Sequence, residues 1–133
     1  MLAPATAFYA VVFVVLKLIL VWRVVALRQQ LGVGVGDGGY QELNVASRIH
    51  GNYIEAMPLM LVLMFIAEMN GVAYAALHTV GGLFLVSRIG HAWGMYEAQG
   101  RWHPARAAGV IGTWLALLGA CGLLVHNVLT IQY

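Results

Sequence analysis

The chain has 133 residues, of which 62% are hydrophobic and 9% charged, with a mean hydropathy of +0.82; soluble domains run near 45–50% and about 25%. That composition excludes a soluble globular protein, and its content of Leu, Val and Ala excludes a disordered or collagenous chain. A formal charge of +2 from seven basic and five acidic residues gives no nucleic-acid footprint. What remains is an integral membrane protein. At roughly 20 residues per helical span, 133 residues suit an all-α four-helix bundle, with no room for a second domain.

The first span is predicted over about residues 5–27, almost continuously apolar apart from Thr6, Lys17 and Arg23. The N-terminus lacks the basic n-region and cleavage site of a signal peptide, so this run is expected to stay as a span. From Gln29 to Asn44 the chain turns polar and carries five glycines (Gly32, Gly34, Gly36, Gly38, Gly39), which predicts one long flexible loop. Gly34-x-Gly36-x2-Gly39 spells a dinucleotide fingerprint, but no strand precedes it and no βαβ unit follows, so nucleotide binding is set aside.

Span two covers about 45–69 and span three about 72–95, joined by the turn signal Asn70-Gly71 as a helical hairpin. The polar stretch Glu97–Pro104 follows, and Pro104 suits the first turn of span four, about 105–129. All six arginines (Arg23, Arg28, Arg48, Arg88, Arg101, Arg106) fall on the side of the loops after spans one and three. Basic residues are retained on the cytoplasmic side, so both long loops are expected there and both termini in the periplasm.

Within span two, Arg48, Asn52 and Glu55 stand at i, i+4 and i+7 and share a face within roughly 60°. Lipid would make that face costly, so it should point into the bundle. The hairpin sets Glu55 level with about Ser87 and Asn52 with about Gly90, which makes Arg88 and His91 the natural neighbours. Arg88, His91 and Met95 share a face of span three, and an Arg88–Glu55 ion pair is expected. Such polar groups can serve as interhelical glue alone. Arginine here exceeds what one glutamate needs, which points instead to an anionic ligand.

The remaining polar residues carry less. The five histidines never pair at metal-ligand spacing, so no metal site is expected. Cys121 reads as a buried thiol, Glu68 as a solvated interfacial carboxylate and Lys17 as a snorkelling or structural cation. In span four, Ala105, Gly109 and Thr113, then Gly112, Ala116 and Ala120, form small-residue ridges that suit packing either within the chain or between subunits.

Arg48-x3-Asn52-x2-Glu55-x2-Pro58, preceded by Gly36-Asp37-Gly38-Gly39 and Glu42-Leu43 and followed by Arg88, resembles the MAPEG family, membrane-associated proteins in eicosanoid and glutathione metabolism, in its bacterial branch. The resemblance covers all four spans. It implies a homotrimer in the bacterial inner membrane that binds glutathione as co-substrate between subunits and transfers its sulfur to lipophilic electrophiles, as a transferase or peroxidase. By motif match, Arg48, Asn52, Glu55 and Arg88 are implied to bind glutathione, with Glu55 on its ammonium and His91 beside them. The thiolate-activating arginine near the start of span four is implied to be Arg101 first and Arg106 second. Tyrosines that contact glutathione in many members are replaced by Ala56, His91 and Met95, which favours as alternative a non-catalytic member that binds lipid or a partner. A small proton-coupled exporter using Glu55 is a third reading, opposed by the arginines around that carboxylate.

Overall fold

A computed structural model describes residues 2–130. The single domain expected over 1–133 therefore has its first residue and last three outside the described range. Four helices account for the described fold: α1 (Pro4–Leu31), α2 (Gln41–Met69), α3 (Tyr74–Glu97) and α4 (Pro104–Thr130). The protein is an all-α membrane bundle. α1, α2 and α4 are each long and apolar enough to cross a membrane. α3 carries the buried polar residues Ser87, Arg88 and His91, which dilute its apolar character.

Pro4 opens α1 and Pro104 opens α4, where the missing amide hydrogen costs no helical bond. α1 closes on Gly32 at φ +66°, and the amide of Val33 returns to the carbonyl of Arg28 at 3.1 Å. Glycine adopts that left-handed conformation without a Cβ penalty. The two helices extend further than the sequence suggests, shrinking the expected 29–44 loop to residues 32–40. The Arg28 guanidinium donates to the carbonyls of Val33, Gly34 and Gly36 at 3.4, 3.3 and 2.9 Å, so the glycine-rich loop is pinned by a side chain where a flexible one was expected.

The core runs along the bundle axis and includes Phe13, Tyr53, Met60, Met64, Leu77 and Phe84, all fully buried. Tyr53 donates its hydroxyl to the carbonyl of Phe13 at 2.8 Å, which satisfies the phenol inside an apolar environment. α1 packs mainly on α2, and α3 on α4. The α3–α4 approach is the tightest. A Cβ added at Gly109 would lie 2.6 Å from His91 Cβ and from the Ser87 carbonyl oxygen, and one at Gly112 would collide with Ser87. The small-residue ridges Gly109–Thr113 and Gly112–Ala116–Ala120 are buried in this contact, so their packing is within the chain.

Two side chains depart from expectation. Glu68 is buried, not solvated: its carboxylate accepts from the amides of Ala5 and Thr6 at the start of α1. The unpaired amides of a helix N-terminus and the positive end of its dipole offset the cost of burying that carboxylate. Cys121 is exposed on α4, not buried, because Ala120 and Ala116 occupy the helix face that meets the core.

Candidate functional site

Arg48, Asn52 and Glu55, one helical turn apart on α2, line one side of a cleft of about 450 Å³. Arg88 and His91 from α3 and Arg106 from α4 complete its polar wall. Leu59, Val110, Trp114 and Leu117 form its apolar wall. Six of the seven residues expected from the sequence are thereby brought together. The seventh, Arg101, is exposed and lies outside this cleft.

Of the two arginines near the start of span four, Arg106 lines the cleft and Arg101 does not. The Arg106 guanidinium donates to the carbonyls of Gly100 and Arg101 at 2.7 and 3.3 Å, which folds the α3–α4 connection over the start of α4. Close passage at Gly94 makes this possible, since a Cβ there would meet the Arg106 amide nitrogen at 2.5 Å. Arg106 also borders two neighbouring cavities. One, of about 230 Å³, is polar and lies toward the loop end among Gln41, Asn44, Arg48 and Asn52. The other, of about 430 Å³, is an apolar groove along α4 between Trp102, Ile111 and Trp114. A single guanidinium thus stands where a polar approach, a charged cleft and an apolar groove meet.

The expected Arg88–Glu55 ion pair does not form. Among the described residues the ion pair within 4 Å is Arg23–Glu42, at the loop end of α1 and α2. Arg88 is 5% exposed and turns toward α4, donating to Thr113 Oγ1 at 3.3 Å and to His91 Nδ1 at 3.0 Å. Thr113 in turn donates to the Gly109 carbonyl at 2.7 Å. Close approach at Gly109 and Gly112 brings these acceptors within reach, while Glu55 stays exposed across the cleft. Arg88 Nε finds no hydrogen-bond partner. A buried guanidinium without a carboxylate costs several kcal/mol in desolvation. Hydrogen bonds to charged groups return roughly 1.5–3 kcal/mol each, so two neutral acceptors offset the cost only in part. The cleft therefore keeps a net positive potential suited to an anion.

Asn52 and Met95 are also displaced from the simple hairpin estimate: Asn52 Nδ2 reaches Met95 Sδ at 4.0 Å, where Gly90 was expected at that level. Tyr96, beside Met95, faces away from the cleft. Its hydroxyl accepts from Arg23 at 3.0 Å, and the Arg23 guanidinium also sits 5.8 Å from the Tyr96 ring centre. Thr113, Val110, Trp114 and Leu117 were missed as site residues in the sequence, although with Arg106 they recur at i, i+4, i+7, i+8 and i+11. That spacing places them on one helix face.

The sequence profile of the MAPEG family matches residues 6–126. The chain belongs to the MAPEG family. It is also 42% identical over 113 residues to the inner membrane protein YecN of Escherichia coli strain K12, covering 85% of this chain and 84% of that protein. YecN of strain O6:H1 matches with the same identity and coverage. Arg48, Asn52 and Glu55 of this family member line a cleft between helices, and positions facing lipid would be far more costly for such groups.

Proposed function

We propose that this MAPEG protein is a glutathione-dependent transferase or peroxidase acting on lipophilic electrophiles. The observation that carries the reading is the composition of the cleft: three guanidiniums (Arg48, Arg88, Arg106), one carboxylate (Glu55) and one amide (Asn52), beside an apolar wall. Glutathione has two carboxylates, an ammonium and a thiol. Arginines match the carboxylates, Glu55 matches the ammonium, and a nearby cation favours the thiolate. A volume of about 450 Å³ lies within the range of about 300–1,000 Å³ usual for small-molecule sites.

In this reading Arg106 is the catalytic cation. Its guanidinium borders both the charged cleft and the apolar groove of Trp102, Ile111 and Trp114, so a thiolate beside it would face an electrophile arriving from the bilayer. Glutathione would enter through the polar cavity lined by Gln41 and Asn44. The thiolate attacks the electrophilic carbon, a thioether forms, and the displaced or opened oxygen takes a proton from water. For a hydroperoxide, sulfur attacks oxygen, and a second glutathione closes the disulfide as water and alcohol leave.

Arg48 and Glu55 are exposed on the open side of the cleft. Exposed charge at membrane depth calls for cover, and the homotrimer implied by the family supplies it. Retention of basic residues on the cytoplasmic side puts the arginine-rich end, with both long loops, in the cytoplasm and the termini in the periplasm.

Calorimetry on detergent-purified protein with glutathione and S-hexylglutathione tests the assignment. Saturable binding of both, tighter for the hexyl derivative and weakened by Arg48→Ala, is the expected result. Absence of binding to either overturns it. Binding without turnover against a panel of electrophiles and lipid hydroperoxides would establish the non-catalytic alternative, which the replacement of tyrosines by Ala56, His91 and Met95 favours.

A further inference from the structure

We infer that Gln41 is a positioning residue for the cation of this site: acting through the backbone of the α3–α4 connection, it fixes where the Arg106 guanidinium stands at the cleft. The inference rests on the glutathione reading for the role given to Arg106.

Three successive carbonyls of the connection are held. Gln41, the first residue of α2, donates an amide hydrogen from Nε2 to the Gln99 carbonyl at 2.9 Å. The next two carbonyls, of Gly100 and Arg101, accept from Arg106 Nη1 at 2.7 and 3.3 Å. A guanidinium carries donors on all three nitrogens, so both protein contacts made through Nη1 leave Nη2 and Nε uncommitted. Arg106 is the third residue of α4 and only half-buried. Without the carbonyls its long side chain has many rotamers to sample. Because the three carbonyls are adjacent in the chain, a displacement at Gln99 passes directly to the atoms that hold Arg106.

The connection is bent in a way that needs such support. Gln99 has φ +49° and Gly100 φ +81°. Left-handed φ suits glycine, whereas a residue with a Cβ keeps it where its surroundings over-determine it. The Gln99 side chain donates to the Tyr96 carbonyl at 2.8 Å, and Gln41 holds the backbone from the α2 side. The Gln41 amide also packs on the connection, since a Cβ at Gly100 would lie 3.5 Å from Gln41 Nε2 and 3.4 Å from Val45 Cγ2. A second bridge runs beside it: Arg23 of α1 pairs with Glu42 and donates to the Tyr96 hydroxyl at 3.0 Å, which ties the neighbour of Gln41 to the end of α3. The first turn of α2 is thus set against the connection at the rim of the polar cavity that Gln41, Gly100 and Arg106 all line.

A cation held in place before the ligand arrives stabilises a thiolate without reorganising, and small misplacements weaken it steeply. Released from the connection, Arg106 keeps its charge but loses its fixed position. Loss of Gln41 should therefore act on the same quantity as loss of Arg106, and by less.

Gln41→Met keeps the side-chain length and removes the donor. Thermal unfolding in detergent checks that the variant folds. Trypsin reads the connection with no ligand present, because Arg101 lies exposed within it. Cleavage after Arg101 is expected to be about two- to ten-fold faster in Gln41→Met, the gain in opening from one lost hydrogen bond. An ultraviolet titration of bound glutathione reads the positioning, and as an equilibrium measurement it does not depend on the route of entry. The thiol pKa should rise by about 0.3–1 unit, less than the shift of about 1–3 units expected for Arg106→Ala. Gly100→Ala, which forces a Cβ into the left-handed conformation and against Val45 and Gln41, should move both readouts in the same direction.

Faster cleavage with an unchanged titration would make Gln41 a tie between helices and overturn the positioning role. Wild-type cleavage rates in Gln41→Met would overturn the link to the connection itself. Failure of the wild type to bind glutathione would overturn the proposed function and with it the role of Arg106, whereas faster cleavage in Gln41→Met would leave the hold of Gln41 on the connection standing.

Discussion

The carboxylate of Glu68, at the end of α2, receives the backbone amides of Ala5 and Thr6 at 2.8 and 2.7 Å and so closes the N-terminus of α1 from another helix. α1 lacks a side-chain cap of its own. The contact ties residues more than sixty positions apart in sequence and does so with charge, at the positive end of a helix dipole. Replacing Glu68 by Ala leaves two buried amides without acceptors and should destabilise the bundle by about 2–4 kcal/mol. Glu68→Gln keeps one acceptor and should lose less. Unfolding in mixed micelles by denaturing detergent measures both, and equal stability of Glu68→Ala and wild type would refute the cap.

The α3–α4 contact should be intolerant of volume. Gly109→Ala places a methyl group 2.6 Å from His91 Cβ and the Ser87 carbonyl oxygen, and should cost about 1–3 kcal/mol through overpacking. Gly122→Ala, on the same helix but with open space around it, should be neutral. The same detergent titration distinguishes them.

Thiolate activation separates two arginines. In the proposed mechanism, Arg106→Ala raises the pKa of bound glutathione by about 1–3 units, hence roughly 10- to 1000-fold in thiolate fraction near neutral pH, partly offset by the greater nucleophilicity of a more basic thiolate. Arg101→Ala, which removes an exposed side chain outside the cleft, should leave the titration nearly unchanged. An ultraviolet thiolate titration of each variant reads this directly. A shift in Arg101→Ala alone would reverse the assignment.

Membrane orientation has its own check. After Cys121→Ala, a cysteine placed at Gln99 in the α3–α4 connection should react with a membrane-impermeant maleimide only in inverted vesicles. One at Asn70 in the α2–α3 turn should react only in right-side-out spheroplasts. The opposite pattern would invert the proposed topology.

Much of the molecule was legible in the sequence because its signals are local. Apolar runs longer than a bilayer is thick, Pro104 at a helix start and Asn70-Gly71 between two runs fixed the number and order of helices, since lipid forbids most other backbone structures. Helical periodicity put Arg48, Asn52 and Glu55 on one face, and they do share a cleft. What only the tertiary structure decided is which side chain each charge meets. Arg88 pairs with Thr113 and His91 and not with Glu55 because Gly109 and Gly112 draw α4 against α3, and the depth of a hairpin says nothing about the rotation of a third helix. The presence of Arg106 and not Arg101 at the cleft, the burial of Glu68 against α1 and the exposure of Cys121 have the same origin. Sequence sets which groups lie on a helix face, while helix rotation and close approach set what that face touches.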